Sequence, residues 1–156
     1  MGIMFFSELD KALGHLYRTT KPGGKCFITS WKRVETREMG ERCLKRLRGQ
    51  DGQFDVPLHF WDQEMENPEY LFSKLEKLGF KDCNALTKLE YAVYSGPNRL
   101  DVVMNTIPGL FSRFVKFKDD EEKNKWNQIW KEEFEKLDSG IEIKLKMWVN
   151  IAWGTK

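Results

Sequence analysis

Most of the features that announce a function are scarce or missing in this sequence of 156 residues. There are three cysteines, Cys26, Cys43 and Cys83, an odd number without a Cys-x-x-Cys pair. That argues against a disulfide framework and a zinc site, and fits reduced thiols in a cytoplasmic protein. Charge of one sign is lacking: the net charge is +2, so no overall field directs the chain to nucleic acid or to a membrane. No apolar run approaches the roughly 20 residues that span a bilayer. The opening MGIMFF has no basic stretch and is too short for a signal peptide, and Phe6 stands where a myristoylation pattern needs Ser or Thr. Gly-x-Gly-x-x-Gly is absent, as is any shorter Gly-x-Gly. There is no internal repeat and no low-complexity linker, so a single domain over 1–156 is expected.

Aromatic residues, by contrast, are abundant. Six Trp and eleven Phe contribute to an aromatic content of 13%. Such a load of large rings needs a well-filled core or an apolar cavity. Leu9, Leu13 and Leu16 recur at helical spacing after a capping Ser7, and Pro22 with Gly23-Gly24 ends that helix. CFITSW at 26–31 reads as a short strand buried on both faces. Residues 32–48 read as a peripheral amphipathic helix, with Val34, Cys43, Leu44 and Leu47 as its apolar face. Its Lys and Arg are interleaved with Glu35, Glu38 and Glu41, which favours internal ion pairs over phosphate contacts. Asn67-Pro68 is a cap and first-turn pair, with Leu71, Leu75 and Leu78 following and Gly79 as the stop. Residues 83–94 alternate as a strand. Asp101 caps a short helix interrupted by Pro108 and Gly109. Asp119 or Asp120 opens a longer helix with Trp126, Ile129, Trp130, Phe134 and Leu137 on one side. In the last segment the odd positions from Ile141 to Trp153 are apolar, the pattern of one long strand. The order of elements favours a mixed α/β domain.

The stretch GIMFFSELDKALGHLYRTTKPGGKCFITSW resembles the middle of a class I S-adenosylmethionine-dependent methyltransferase, close to the small-molecule enzymes of the ubiquinone-biosynthesis-like group. Leu13 to Gly24 carry the family's ALxxxYRxxKPGG-like pattern, with Thr20 in place of the usual Leu. Leu78, Gly79 and Phe80 match the end of a later family helix. The resemblance implies a partial Rossmann-like sheet, with equivalents of strands 5, 6 and 7, the last antiparallel, and flanking helices. Segments 32–66 and 97–138 would be helical or cap insertions. It implies that the glycine-rich turn and the ribose-binding acid of the donor site belong to a half that this sequence lacks. The chain would then be the C-terminal, substrate-side half of the enzyme, inactive and unable to bind S-adenosylmethionine alone.

By motif alignment, Ile3, Met4 and Phe5 fall where the family's hydrophobic loop meets the cofactor, and Phe6 where it meets the substrate. Phe54, His59, Phe60 and Trp61 fall in a segment that helps cover a small-molecule acceptor. His59 is a candidate general base; packing is the blander role for a lone His among rings. His15, mid-helix, reads as a surface residue. Trp126, Trp130 and Phe134 read as core, with an apolar cavity as the alternative. The missing fourth strand would leave residues 25–31 as an open edge, a template for self-association or a partner chain. Two other functions stay open: a non-catalytic interaction module docking through that edge, and an α/β domain binding a hydrophobic ligand. No metal and no nucleic acid are expected as ligands.

Overall fold

The computed structural model describes residue 6, residues 8–49, residues 52 and 54, and residues 63–156. In chain order its elements are α1 (Leu9–Thr19), β1 (Lys25–Val34), α2 (Glu35–Arg48), a 3-10 turn (Gln63–Glu66), α3 (Pro68–Lys77), β2 (Lys81–Ser95), α4 (Arg99–Ser112), α5 (Asp120–Leu137) and β3 (Glu142–Thr155). The architecture is mixed α/β, five helices with a three-stranded antiparallel sheet in the order β1-β3-β2. The last strand therefore lies between the first two. The chain divides into two compact units. One comprises Met1–Arg33, Pro57–Glu90 and Met147–Lys156, the other Val34–Val56 and Tyr91–Lys146.

In the first unit Leu13 of α1 and Leu71 and Leu75 of α3 are fully buried, in one cluster with Cys26, Ile28, Phe80 and Ala152. Helical spacing gives each helix one apolar stripe, and the sheet supplies the surface that buries it. The Asn67 side chain accepts a hydrogen bond from the Glu69 N–H at 3.0 Å, capping α3 as its sequence suggests. Gly79 follows α3 with φ +95°, and the Tyr17 hydroxyl lies 3.2 Å from where a Cβ would be, so a side chain is opposed by both backbone and space. Ser7 lies outside the described residues. The first helix starts after Glu8 without a side-chain cap.

One expectation about strands needs correction here. Burial of β1 on both faces is not observed: Cys26, Ile28 and Ser30 are buried, while Phe27 is 62% exposed. The strand alternates because helices pack on only one of its faces. Nor does β3 bury one face throughout. Ile143 and Leu145 are buried in the second unit, but Asn150, Ala152 and Gly154 are buried in the first. The inward set changes from odd to even positions across Val149–Asn150, both of which are buried. Small residues face the helices there because the approach is close. A Cβ on Gly154 would lie 2.8 Å from the Cys83 sulfur and 2.9 Å from the Phe80 Cβ.

The second unit is built around rings. Trp126, Trp130 and Phe134 of α5 are fully buried with Met39, Cys43 and Leu44 of α2, Val103 of α4, and Ile143 and Leu145. The expected peripheral position of α2 is thus overturned within this unit, since its Met39–Leu44 face packs into the core against α5. Arg48 of α2 donates through Nε and Nη2 to the Glu122 carboxylate at 2.8 and 2.9 Å. The Asp119 side chain accepts from the Glu122 N–H, so α5 begins as its sequence predicts. In α4 the helix runs through Pro108 without interruption, and Asp101 lies in its first turn after Asn98. Proline removes one backbone donor. Burial of Val103 and Pro108, with Ile107 and Phe111 packed on the core, holds the turns on either side together.

Candidate functional site

Of the positions singled out by sequence, Ile3, Met4, Phe5, His59, Phe60 and Trp61 lie outside the described residues. Phe6 is 55% exposed. His15 is exposed on α1, as its position suggests. Phe54 belongs to the second unit, where it joins the aromatic cluster. Phe6 belongs to the first unit.

The KPGG turn holds the chain's one adjacent pair of glycines. Gly23 has φ +73°, and its N–H donates to the Lys156 carbonyl at 2.7 Å. The Lys156 N–H donates to the Gly24 carbonyl at 2.9 Å. These backbone groups are engaged in tying β3 to the start of β1, and the turn precedes a strand. A nucleotide-binding turn follows a strand and opens a helix, with its N–H groups free for the ligand. The KPGG turn therefore lacks the free N–H groups of such a turn.

The first unit also holds a buried polar node. The Asn150 amide donates to the Met65 carbonyl at 3.0 Å and the Glu66 carbonyl at 2.9 Å, and accepts from the Thr87 hydroxyl at 2.7 Å. The Ser30 hydroxyl donates to the same Met65 carbonyl at 2.7 Å. Asn150 and Ser30 are fully buried. Every polar atom of the Asn150 side chain is engaged, so the node holds the 63–66 turn on the sheet and leaves no group for chemistry. Sequence reasoning passed over it. Its signal was a single Asn inside an otherwise apolar stretch of strand.

The second unit carries the more suggestive constellation. The Phe54 ring lies 5.6 Å from Phe111 and 6.1 Å from Trp126, edge-to-face with the latter at 85°. Trp126 meets Trp130 at 5.6 Å, and Trp130 meets Phe134 at 5.4 Å and Phe111 at 5.5 Å. Gly40 of α2 lies beneath Phe54: a Cβ there would be 2.9 Å from Phe54 Cζ and 3.3 Å from Phe111 Cδ1. Both Trp126 and Trp130 are fully buried, and neither Nε1 has a hydrogen-bond partner among the described residues. A buried indole N–H usually finds an acceptor, and leaving a buried donor unpaired costs about 1–3 kcal/mol. Sequence spacing placed Trp126 and Trp130 together. Nothing local pointed to Gly40 and Phe111 as their neighbours.

No thiol is activated. Burial pushes the Cys43 thiol up to about 12, with the Glu133 carboxylate adding to the shift, and burial also raises Cys26 and Cys83. All three cysteines are free. The Arg48 guanidinium, helped by the Lys118 N–H, holds the Glu122 carboxyl down at about 2. That group is an ion-pair anchor, not a general acid. Among the described residues no three His, Cys, Asp or Glu side chains converge, and no helix is long and apolar enough to cross a membrane. No family model matches the chain, and no curated protein matches it.

Proposed function

We propose that this chain is the substrate-side, C-terminal half of an S-adenosylmethionine-dependent methyltransferase of small molecules, inactive without the half that holds the donor. The observation that supports this reading is the strand order. A terminal antiparallel strand that pairs with β1, in the order β1-β3-β2, agrees with the equivalents of strands 5, 6 and 7, the last antiparallel, that the resemblance implies. The KPGG turn leading into β1, and α1 and α3 sharing one cluster with β1, agree with it. The Gly23 N–H and the Gly24 carbonyl are engaged with Lys156, and this reading assigns the donor's site to another polypeptide or segment. The parent reaction would rest mainly on positioning of acceptor and donor.

Calorimetry with S-adenosylmethionine tests the reading. The chain alone should give no binding heat. Mixing it with the polypeptide encoded in frame immediately upstream, expected to carry a strand and a glycine-rich turn, should give micromolar binding. Micromolar binding by the chain alone would overturn the half-enzyme reading, as would an upstream product that neither binds the chain nor restores donor affinity.

A second reading, a non-catalytic module that docks through a sheet edge, is favoured by one feature. Among the described strands β1 ends the sheet, and its Phe27 is 62% exposed and stacked on Trp153 at 6.2 Å. An apolar edge of this kind templates pairing with another strand. Sedimentation as a monomer, together with fast amide exchange over 25–31, would contradict it.

A further inference from the structure

We propose that β2 is a self-association edge, along which two copies of this chain pair antiparallel with the two-fold axis at Leu89. The surface is one strand, Lys81–Ser95, at the opposite end of the sheet order from β1. It rests on neither reading given above, since no methyl donor, acceptor or β1 group takes part.

Three observations carry the inference. The first is the bareness of the edge. Among the described strands β2 has a neighbour on one side only, β3. It runs for 15 residues, where an ordinary strand has about 5–6. None of those residues is buried, whereas β1 and β3 both bury several. Natural edges are guarded by short strands, by proline or by a covering element, and β2 is long and has no proline. The Ala85 N–H donates to the Asn84 side-chain oxygen at 2.8 Å, a local acceptor in place of a carbonyl on a neighbouring strand. The second observation is apolar exposure. Leu86, Leu89, Tyr91 and Val93 are each 39–49% exposed, and side chains of these types stabilise a sheet when they meet across strands.

The third is charge. Between Asn84 and Ser95 the strand carries one cation and one anion, Lys88 and Glu90, which flank Leu89 and form an exposed ion pair. Residues that meet across an axis at Leu89 lie symmetrically about it in sequence. Lys88 then opposes the partner's Glu90, and Glu90 opposes the partner's Lys88. Leu86 meets the partner's Ala92, Thr87 meets the partner's Tyr91 and Ala85 meets the partner's Val93. An axis at Lys88 or at Glu90 would instead set like charges face to face. In this register the strand complements a second copy of itself, as an isologous contact requires.

Sedimentation of the full chain over the micromolar range tests the proposal. The expected species is a dimer that dissociates on dilution. Lys88→Glu and Glu90→Lys each set two like-charge pairs across the axis, and each should weaken the dimer at least about 10-fold. Mixing the two variants should restore association, because each supplies the charges that the other lacks. A second chain cannot mend an ion pair lost within one strand, so the mixture separates the interface from a local effect. A chain that stays monomeric, a dimer that neither variant weakens, or variants that do not associate on mixing would overturn the proposal. If a variant loses its cooperative thermal transition, amide exchange of the unmodified chain decides: protection over 85–93 should rise with chain concentration, and protection that does not change would overturn the pairing.

Discussion

In the first unit β3 turns Ala152 and Gly154 toward the helix-packed side, whereas in the second the same strand turns Ile143 and Leu145 inward. The neighbours differ in kind. The first core is mainly aliphatic and close, with Leu13, Leu71 and Leu75 approaching a sheet surface of small residues. The second is wide and aromatic, with Trp126, Trp130 and Phe134 as its bulk and further rings packed around them. One strand serves both because its inward parity changes at Val149–Asn150. The contrast shows two ways of burying surface: helices brought close by missing side chains, and space filled by large ones. It predicts that the first unit is sensitive to added volume and the second to lost volume.

The largest effect should come from emptying the second core. Trp130→Ala removes a fully buried indole and should lower unfolding stability by about 3–5 kcal/mol, read from the urea midpoint. A loss under about 1 kcal/mol would mean that the rings collapse to fill the gap, and the contrast would weaken. Next comes overfilling of the first. Gly154→Val places atoms within 3 Å of Cys83 and Phe80 and should cost about 1–3 kcal/mol, while the same change at Gly109, with nothing within 4 Å of its Cβ position, should not clash. Equal losses at the two sites would show that close approach is not what glycine provides at 154. A smaller effect, about 1 kcal/mol, is expected for Asn67→Ala, which removes the cap of α3 in the first unit.

The subtlest prediction concerns pH in the second unit. The Glu122 carboxyl lies at about 2 in the folded chain, against 4.5 as its ordinary value. A depressed carboxyl stabilises the fold fully above its unfolded value, so this contribution is present above about pH 4.5 and lost as the pH falls through about 2. Urea midpoints measured at pH 6, 4 and 3 should therefore fall more steeply for the unmodified chain than for Arg48→Leu. Parallel slopes would remove Arg48 as the cause.

Much of the secondary structure was legible in local chemistry. Asn67-Pro68 and Asp119 marked helix starts because a side-chain oxygen placed there meets backbone donors within three residues. Leu71 and Leu75 marked a buried stripe because the helix repeat brings them to one face. The errors arose where distant partners intervened. Pro108 looked like a stop, but burial of the face around it sustains α4. The basic α2 looked peripheral, but Arg46 and Arg48 pair with Glu132, Glu133 and Glu122 of α5, so its charge serves packing. Of the candidate site residues, Phe54 found ring partners, yet its seat above Gly40 joins residues that sequence spacing cannot relate.

The sequence by itself determined most helices and strands and which α5 residues are core, because capping and periodicity act over a few residues; it missed that 32–34 continue β1 and that α4 runs through Pro108. Tertiary structure alone decided three things: that β3 lies between β1 and β2, that its buried face changes parity, and that Phe54 lies over Gly40 beside Trp126 and Phe111. Strand order and burial depend on which surfaces remain to be covered once distant segments meet, and no local repeat encodes that choice.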